Sequence, residues 1–174
     1  ATLVLSELAD ETLERATAYA MAERDLRDGL VVIAMGKLGG REIGYGSDLD
    51  IFFVYDGLDD EKNEAYVRTA QRVLRLLSTP HGDGPGYELD TRLRPSGNHG
   101  LLVVSLPAFA RYHRVGVVAE QDELRAEDWE RQALIRARVC AGDRALGAKV
   151  LAIAHEAAYE RGAPPPEKVH HFRM

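Results

Sequence analysis

From Ser6 to Arg27, Leu8, Thr12, Ala16 and Tyr19 fall near one stripe among Glu and Arg residues, the spacing of an amphipathic helix. Asp28-Gly29 ends it, since glycine accepts the backbone that closes a helix. Leu30 to Met35 (LVVIAM) is a short, β-branched apolar run between Gly29 and Gly36 and reads as a buried strand. Asp48 to Tyr55 (DLDIFFVY) reads as a second strand, polar where it starts and buried where it ends. Asp59 to Ser78 carries Tyr66, Val67, Ala70, Val73, Leu74 and Leu77 at three-to-four spacing, a helix that Thr79-Pro80 stops. His81 to Gly86 is a turn or loop. Tyr87 to Leu93 alternates and predicts a third strand before Pro95, and Gly100 to Ser105 predicts a fourth.

Beyond Pro107 the pattern turns helical, over Pro107–Val115, Glu127–Ala141 and Asp143–Arg161. Pro164-Pro165-Pro166 breaks it, and Glu167 to Met174 reads as the opening of a further helix. The order predicts an α+β fold, a mixed sheet flanked by helices with a helical C-terminal part. Residues 1–106 are expected to form the core with its N-terminal helix. Residues 107–174 are expected to form a helical extension cut from a longer chain.

Composition narrows the function classes. Hydrophobic residues at 45% and charged residues at 29% suit a globular protein of 174 residues. No apolar run reaches the roughly 20 residues that span a bilayer, and no signal peptide is visible. One cysteine, Cys140, excludes an internal disulfide and a cysteine-based zinc cage. A reducing, cytoplasmic location and no membrane are expected. A net charge of −6 argues against nucleic acid as partner, although a few arginines in a cleft can still hold a triphosphate.

The chemistry concentrates after the first strand. Five glycines lie from Gly36 to Gly46, a density that marks unusual backbone angles or close approach of a ligand. Ser47-Asp48-Leu49-Asp50 follows. On a strand Asp48 and Asp50 point the same way, with Cα atoms ~6.6 Å apart. Two carboxylates so placed can converge on one hard cation or on a metal pair about 4 Å apart. An Asp-x-Asp can also merely cap a surface turn, but the preceding buried strand and glycine-rich loop favour the metal site. This arrangement resembles the nucleotidyltransferase superfamily, in which a strand, a glycine turn and an Asp-x-Asp pair follow one another. Gly36 matches the first glycine of that turn. Lys37 stands where many members carry serine, so a cation or Ser47 takes over the phosphate contact.

The resemblance implies a third carboxylate on a neighbouring strand, and Asp90 in Tyr87–Arg94 (YELDTRLR) is the candidate, as metal ligand and as general base or its positioner. Glu88 and Arg92 share its predicted face. Arg92 and Arg94 offer paired donors to phosphate. The alternative is that Asp90 simply pairs with one of those arginines. Arg131, Arg136 and Arg138 read as surface or ion-pair residues of a helix, Trp129 as a core anchor, and His170-His171 as solvated tail.

Three segments, VVIAMGKLGGREIGYGSDLDIFFVYD, YELDTRLRPSGNHGLLV and WERQALIRARVCAGD, are more specific. They resemble successive blocks of the bifunctional glutamine synthetase adenylyltransferase/adenylyl-removing enzymes, across Leu30 to Asp143. That resemblance implies a polymerase-β-like nucleotidyltransferase fold. It implies Mg²⁺ or Mn²⁺ held by Asp48, Asp50 and Asp90, with ATP as substrate. Gly36, Lys37, Gly46, Ser47, Arg92 and Arg94 would hold the nucleotide. It further implies glutamine synthetase as protein substrate, and a nitrogen-signal protein as regulator through regions outside this sequence. Such proteins carry two related domains, one attaching AMP to a tyrosine and one removing it by phosphorolysis. Arg94-Pro95-Ser96-Gly97 and Gln132–Arg136 are more similar to the adenylylating domain, while Arg114–Asp128 is longer than the usual link. The rival readings are the adenylyl-removing domain, a nucleotidyltransferase for another acceptor, and a catalytically silent nucleotide-binding regulator.

Overall fold

The computed structural model describes residues 1–97, 100–115 and 126–160. The expectations for Pro164–Pro166, Glu167–Met174 and His170-His171, and most of the Arg114–Asp128 segment, lie outside them. Helix α1 spans Thr2–Ala22, starting four residues earlier than its stripe predicts. Strand β1 is Leu30–Ala34, followed by the one-turn helix α2, Gly36–Gly39, and strand β2, Leu49–Tyr55. A 3₁₀ turn at Asp60–Lys62 leads into α3, Asn63–Ser78. Strands β3, Leu89–Asp90, and β4, Val103–Ser105, come next, then α4, Leu106–Tyr112. Helix α5, Asp128–Ala133, and a 3₁₀ turn at Leu134–Arg136 precede β5, Arg138–Gly142. Helix α6, Arg144–His155, ends in a π-helical turn over Glu156–Glu160.

The sheet is mixed and runs β3-β2-β1-β5, with β4 beside the second half of β2. Strand β1 is antiparallel to β2 and β5, whereas β3 and β4 are parallel to β2. Alternation sorts the core into two layers. Val32, Leu49, Ile51 and Phe53 pack with Leu13, Ala20, Tyr66 and Val73 of α1 and α3. Val31, Ile33, Phe52 and Val54 pack with Phe109 of α4, Leu134, and Leu146 and Val150 of α6. Among the described residues no helix is long and apolar enough to cross a membrane.

Two expectations are corrected. The predicted helix over Glu127–Ala141 is instead α5, a 3₁₀ turn and β5. Arg136 already lies outside the α-helix, and Val139 to Gly142 pairs with β1 as a fifth strand. Pairing with the buried edge of β1 overrides helix propensity here. This strand lies beyond the boundary expected at 106/107. The third strand is also shorter than predicted. The Arg92 N–H donates to Asp90 Oδ1 at 2.8 Å and the Arg94 N–H donates to the Thr91 carbonyl at 3.2 Å. These local bonds curl the chain out of the ladder after Asp90.

Candidate active site

The alternation that buries Phe52 and Val54 puts Asp50 on the same face, two residues before the apolar layer begins. Asp48 precedes the strand with the same parity and is exposed. The parallel register sets Asp90 directly beside Asp50, and Leu89 beside Leu49 on the opposite, α1/α3 side. Three acids separated in sequence thus meet at one end of the β2–β3 pair.

The electrostatics record that meeting. Burial, then the charges of Asp90 and Asp48, push the Asp50 carboxyl above the usual carboxylate range, while Arg92 and Lys37 pull it back. Asp90 is the converse case. The Arg92 guanidinium holds its carboxyl below the usual range, through Nε to Oδ2 at 2.9 Å and Nη2 to Oδ2 at 2.5 Å. The Asp90 side chain is 13% exposed and that of Arg92 69%, so the carboxylate is enclosed and its partner is free to solvent. Among the described residues, no three acidic, histidine or cysteine side chains form a ready-made metal cage. Asp90 is instead paired with Arg92.

Gly36 backs this cluster. It has φ +51°, in the region that favours glycine, and a Cβ there would collide with Asp50 Oδ2. The Met35 N–H donates to the Asp50 carbonyl at 2.8 Å, which fixes the turn to β2. Lys37 is exposed on that turn. Gly46 has φ +72°, with nothing within 4 Å of a built Cβ. Ser47 Oγ accepts the Gly44 N–H at 3.0 Å and so closes the loop before Asp48. A cleft of about 350 Å³ adjoins this loop, lined by Tyr45, Ser47, Pro85, Tyr87 and Glu88 among others.

The remaining expectations separate. Arg94 bonds within its own loop, its Nη1 donating to the Thr91 carbonyl at 3.1 Å and to the Thr91 hydroxyl. Its Nε has no partner among the described residues. Arg136 pairs with Glu42 at 2.7 Å and Arg138 with Asp10 at 2.8 Å, which bears out the ion-pair reading of both. Trp129 is not a core anchor. It is 45% exposed, and its indole N–H donates to Glu127 at 2.8 Å beside the α5 N-terminus. Asp10 attracted no notice in the sequence, because its stripe reads only as a polar helix face.

Comparison with known proteins agrees with the geometry. A family model described as glutamate-ammonia ligase adenylyltransferase matches residues 1–153. The chain is 44% identical over 149 residues to the bifunctional glutamine synthetase adenylyltransferase/adenylyl-removing enzyme of Bordetella pertussis, covering 83% of this chain and 15% of that protein. The like-named protein of Burkholderia mallei is 44% identical over 154 residues, covering 86% of this chain and 16% of that one. That of Thioalkalivibrio sulfidiphilus is 40% identical over 163 residues, covering 80% and 16%. The chain therefore spans about a sixth of the length of these relatives. With the glycine turn, the Asp-x-Asp strand and the match over most of its length, the chain belongs to the glutamate-ammonia ligase adenylyltransferase family, a family of enzymes.

Proposed function

We propose that this chain is a polymerase-β-like nucleotidyltransferase domain that transfers AMP from ATP to a tyrosine of glutamine synthetase. The observation that carries the reading is the register of β2 and β3, which sets Asp90 beside Asp50 while Asp48 shares their face. The mixed sheet, with a glycine turn leading into an Asp-x-Asp strand, supports the fold assignment.

The donor set fits a hard divalent cation. All three groups are carboxylates, and Asp50 is pushed up by its acidic neighbours, a repulsion that a cation would relieve. Asp48, Asp50 and Asp90 would hold Mg²⁺ or Mn²⁺, with Arg92 released from Asp90. The bound ion would supply charge neutralisation at the triphosphate. The chain's own residues do the rest. Gly36 keeps the turn close to Asp50 and leaves backbone within reach of phosphate. Lys37 and Arg92 offer cations to the phosphate oxygens, and Gly46 and Ser47 border the site. Arg94, spent on Thr91, acts by shaping the loop that carries Arg92. Asp90 accepts or orients the proton of the attacking tyrosine hydroxyl. The oxygen attacks the α-phosphorus, and pyrophosphate leaves.

The printed names of the relatives contain both directions. The Arg94-Pro95-Ser96-Gly97 and Gln132–Arg136 blocks favour adenylylation. Ser96, small and in the left-handed region at φ +62°, leaves more room beside Arg94 than an aromatic would. Incubation with purified glutamine synthetase, labelled ATP and Mg²⁺ should label the tyrosine, and phosphate with modified enzyme should release little ADP. Dominant phosphate-dependent ADP release without forward labelling would assign the chain to removal.

A further inference from the structure

The glycine turn that backs Asp50 has an anchor at its other end. Helix α2 is a single turn, so its last carbonyls have few helical donors. The Leu38 carbonyl accepts from the Arg41 N–H at 3.1 Å and from Arg138 Nη2 at 2.9 Å. The Gly39 carbonyl accepts from Arg138 Nε at 3.3 Å. The same guanidinium is forked onto Asp10 of α1, Nη1 to Oδ2 at 2.8 Å and Nη2 to Oδ1 at 3.0 Å. The side chains are only 20% and 19% exposed, unlike a solvated surface pair. The 3₁₀ turn before β5 packs against the same place, since a Cβ on Gly39 would collide with the Arg136 carbonyl.

We infer that Arg138, locked by Asp10, is a positioning residue that fixes the Gly36–Gly39 turn and through it holds Gly36 against the Asp50 carboxylate. The inference rests on the transfer reading proposed above. The route is short and continuous. The Gly39 N–H donates to the Met35 carbonyl at 2.7 Å, the Gly40 N–H to the Gly36 carbonyl at 3.0 Å, and the Met35 N–H to the Asp50 carbonyl at 2.8 Å. A shift at Leu38 or Gly39 therefore reaches Gly36 and Asp50 within one turn. Small displacements at a reacting centre are costly in rate, and supporting side chains set that precision. Only a planar fork of donors can serve a carboxylate and two carbonyls together, so lysine is not an equivalent.

The test compares Arg138→Met, Arg138→Lys and Asp10→Asn. Asp10→Asn keeps an acceptor for the guanidinium but cancels the ion pair. Amide hydrogen exchange at Gly39, Gly40 and Glu42 should quicken by about tenfold or more in both Arg138 variants and less in Asp10→Asn. Amides of α3 and of the β1–β2 pair should keep their protection. In samples shown to be folded, kcat for AMP transfer should fall by about tenfold or more in Arg138→Lys, with KM for the acceptor protein unchanged. Unchanged exchange at the turn in Arg138→Lys would overturn the inference. Uniform loss of protection throughout would too, marking a purely structural residue, as would a loosened turn with kcat intact. Wild-type protein inactive in both directions would instead defeat the transfer reading, while the exchange pattern would still decide whether Arg138 fixes the turn.

Discussion

Gly36 and Asp50 are fitted to each other: Gly36 takes φ +51°, and the Asp50 carboxylate fills the space that any Cβ there would need. Gly36→Ala therefore meets left-handed strain of about 1 kcal/mol and also pushes Asp50 aside. We expect a folded protein with a modest loss of stability and a transfer rate lowered by about 100-fold. Gly44→Ala is the control, because a Cβ there meets only Ser47 Oγ, at 3.8 Å. Thermal unfolding and steady-state kinetics on both variants check this. Equal activity in the two would remove Gly36 from the site.

Asp50→Asn separates stability from function. Burial and the charges of Asp90 and Asp48 raise the folded-state pKa of this carboxyl. Its ionised form is therefore disfavoured by folding, and the cost is present at neutral pH and vanishes as pH falls below the unfolded value. Without divalent cation at pH 7, the variant should be at least as heat-stable as wild type, and the gap should close in acid. Transfer should fall by about 10³-fold or more. A variant that keeps more than about a tenth of the activity would end the assignment of Asp50 as a metal ligand.

Arg92 is paired with Asp90, so on the proposed reading its removal should act in two opposite ways. In Arg92→Gln, Mn²⁺ binding without nucleotide should tighten severalfold, because a competing cation has gone. Binding of Mg·ATP should weaken by on the order of tenfold, because a phosphate donor has gone. Calorimetry with each ligand reads both. Movement of the two affinities in the same direction would contradict a guanidinium shared between Asp90 and phosphate.

The site's two strands were legible because alternation and glycine punctuation are local. LVVIAM and DLDIFFVY announce β1 and β2, and the parity of Asp48 and Asp50 follows at once. Asp90 was legible as a residue but not as a geometry. Its Asx bond to the Arg92 N–H ends β3 after two residues, and a hydrophobic pattern carries no trace of that bond. Strand β5 was hidden for a different reason. Alanine and arginine around Val139 and Cys140 favour helix locally, and only the edge of β1, over 100 residues earlier in the chain, makes them a strand. The Asp10–Arg138 contact is equally non-local, bridging 128 positions. The burial of His113 was missed for another reason: its ring partners Phe109 and Tyr112 are near in sequence, but the local pattern does not say that this helix end turns inward.

That histidine gives an acid sensitivity of known sign. His113 is 3% exposed, edge-on to Phe109 at 4.7 Å and to Tyr112 at 5.2 Å. Burial, aided by the Arg131 charge, lowers its pKa from 6.5 to about 3. The unfolded chain thus binds a proton that the folded protein refuses. Its contribution is fully present above pH 6.5 and is lost progressively as pH falls toward 3. The slope approaches about 1.4 kcal/mol per pH unit for one group, so moving from pH 7 to pH 5 should remove roughly 2 kcal/mol through His113 alone. Asp90 and Asp143, whose carboxyls are lowered, act only in stronger acid. Asp50 acts with opposite sign but equally in both proteins of the comparison. Denaturant unfolding of wild type and His113→Gln at pH 7 and pH 5 isolates the effect, because glutamine is polar and does not titrate. The variant should be less stable at pH 7 yet lose about 1–2 kcal/mol less on acidification. Equal losses in the two proteins would mean that His113 is charged, or solvated, in the folded state.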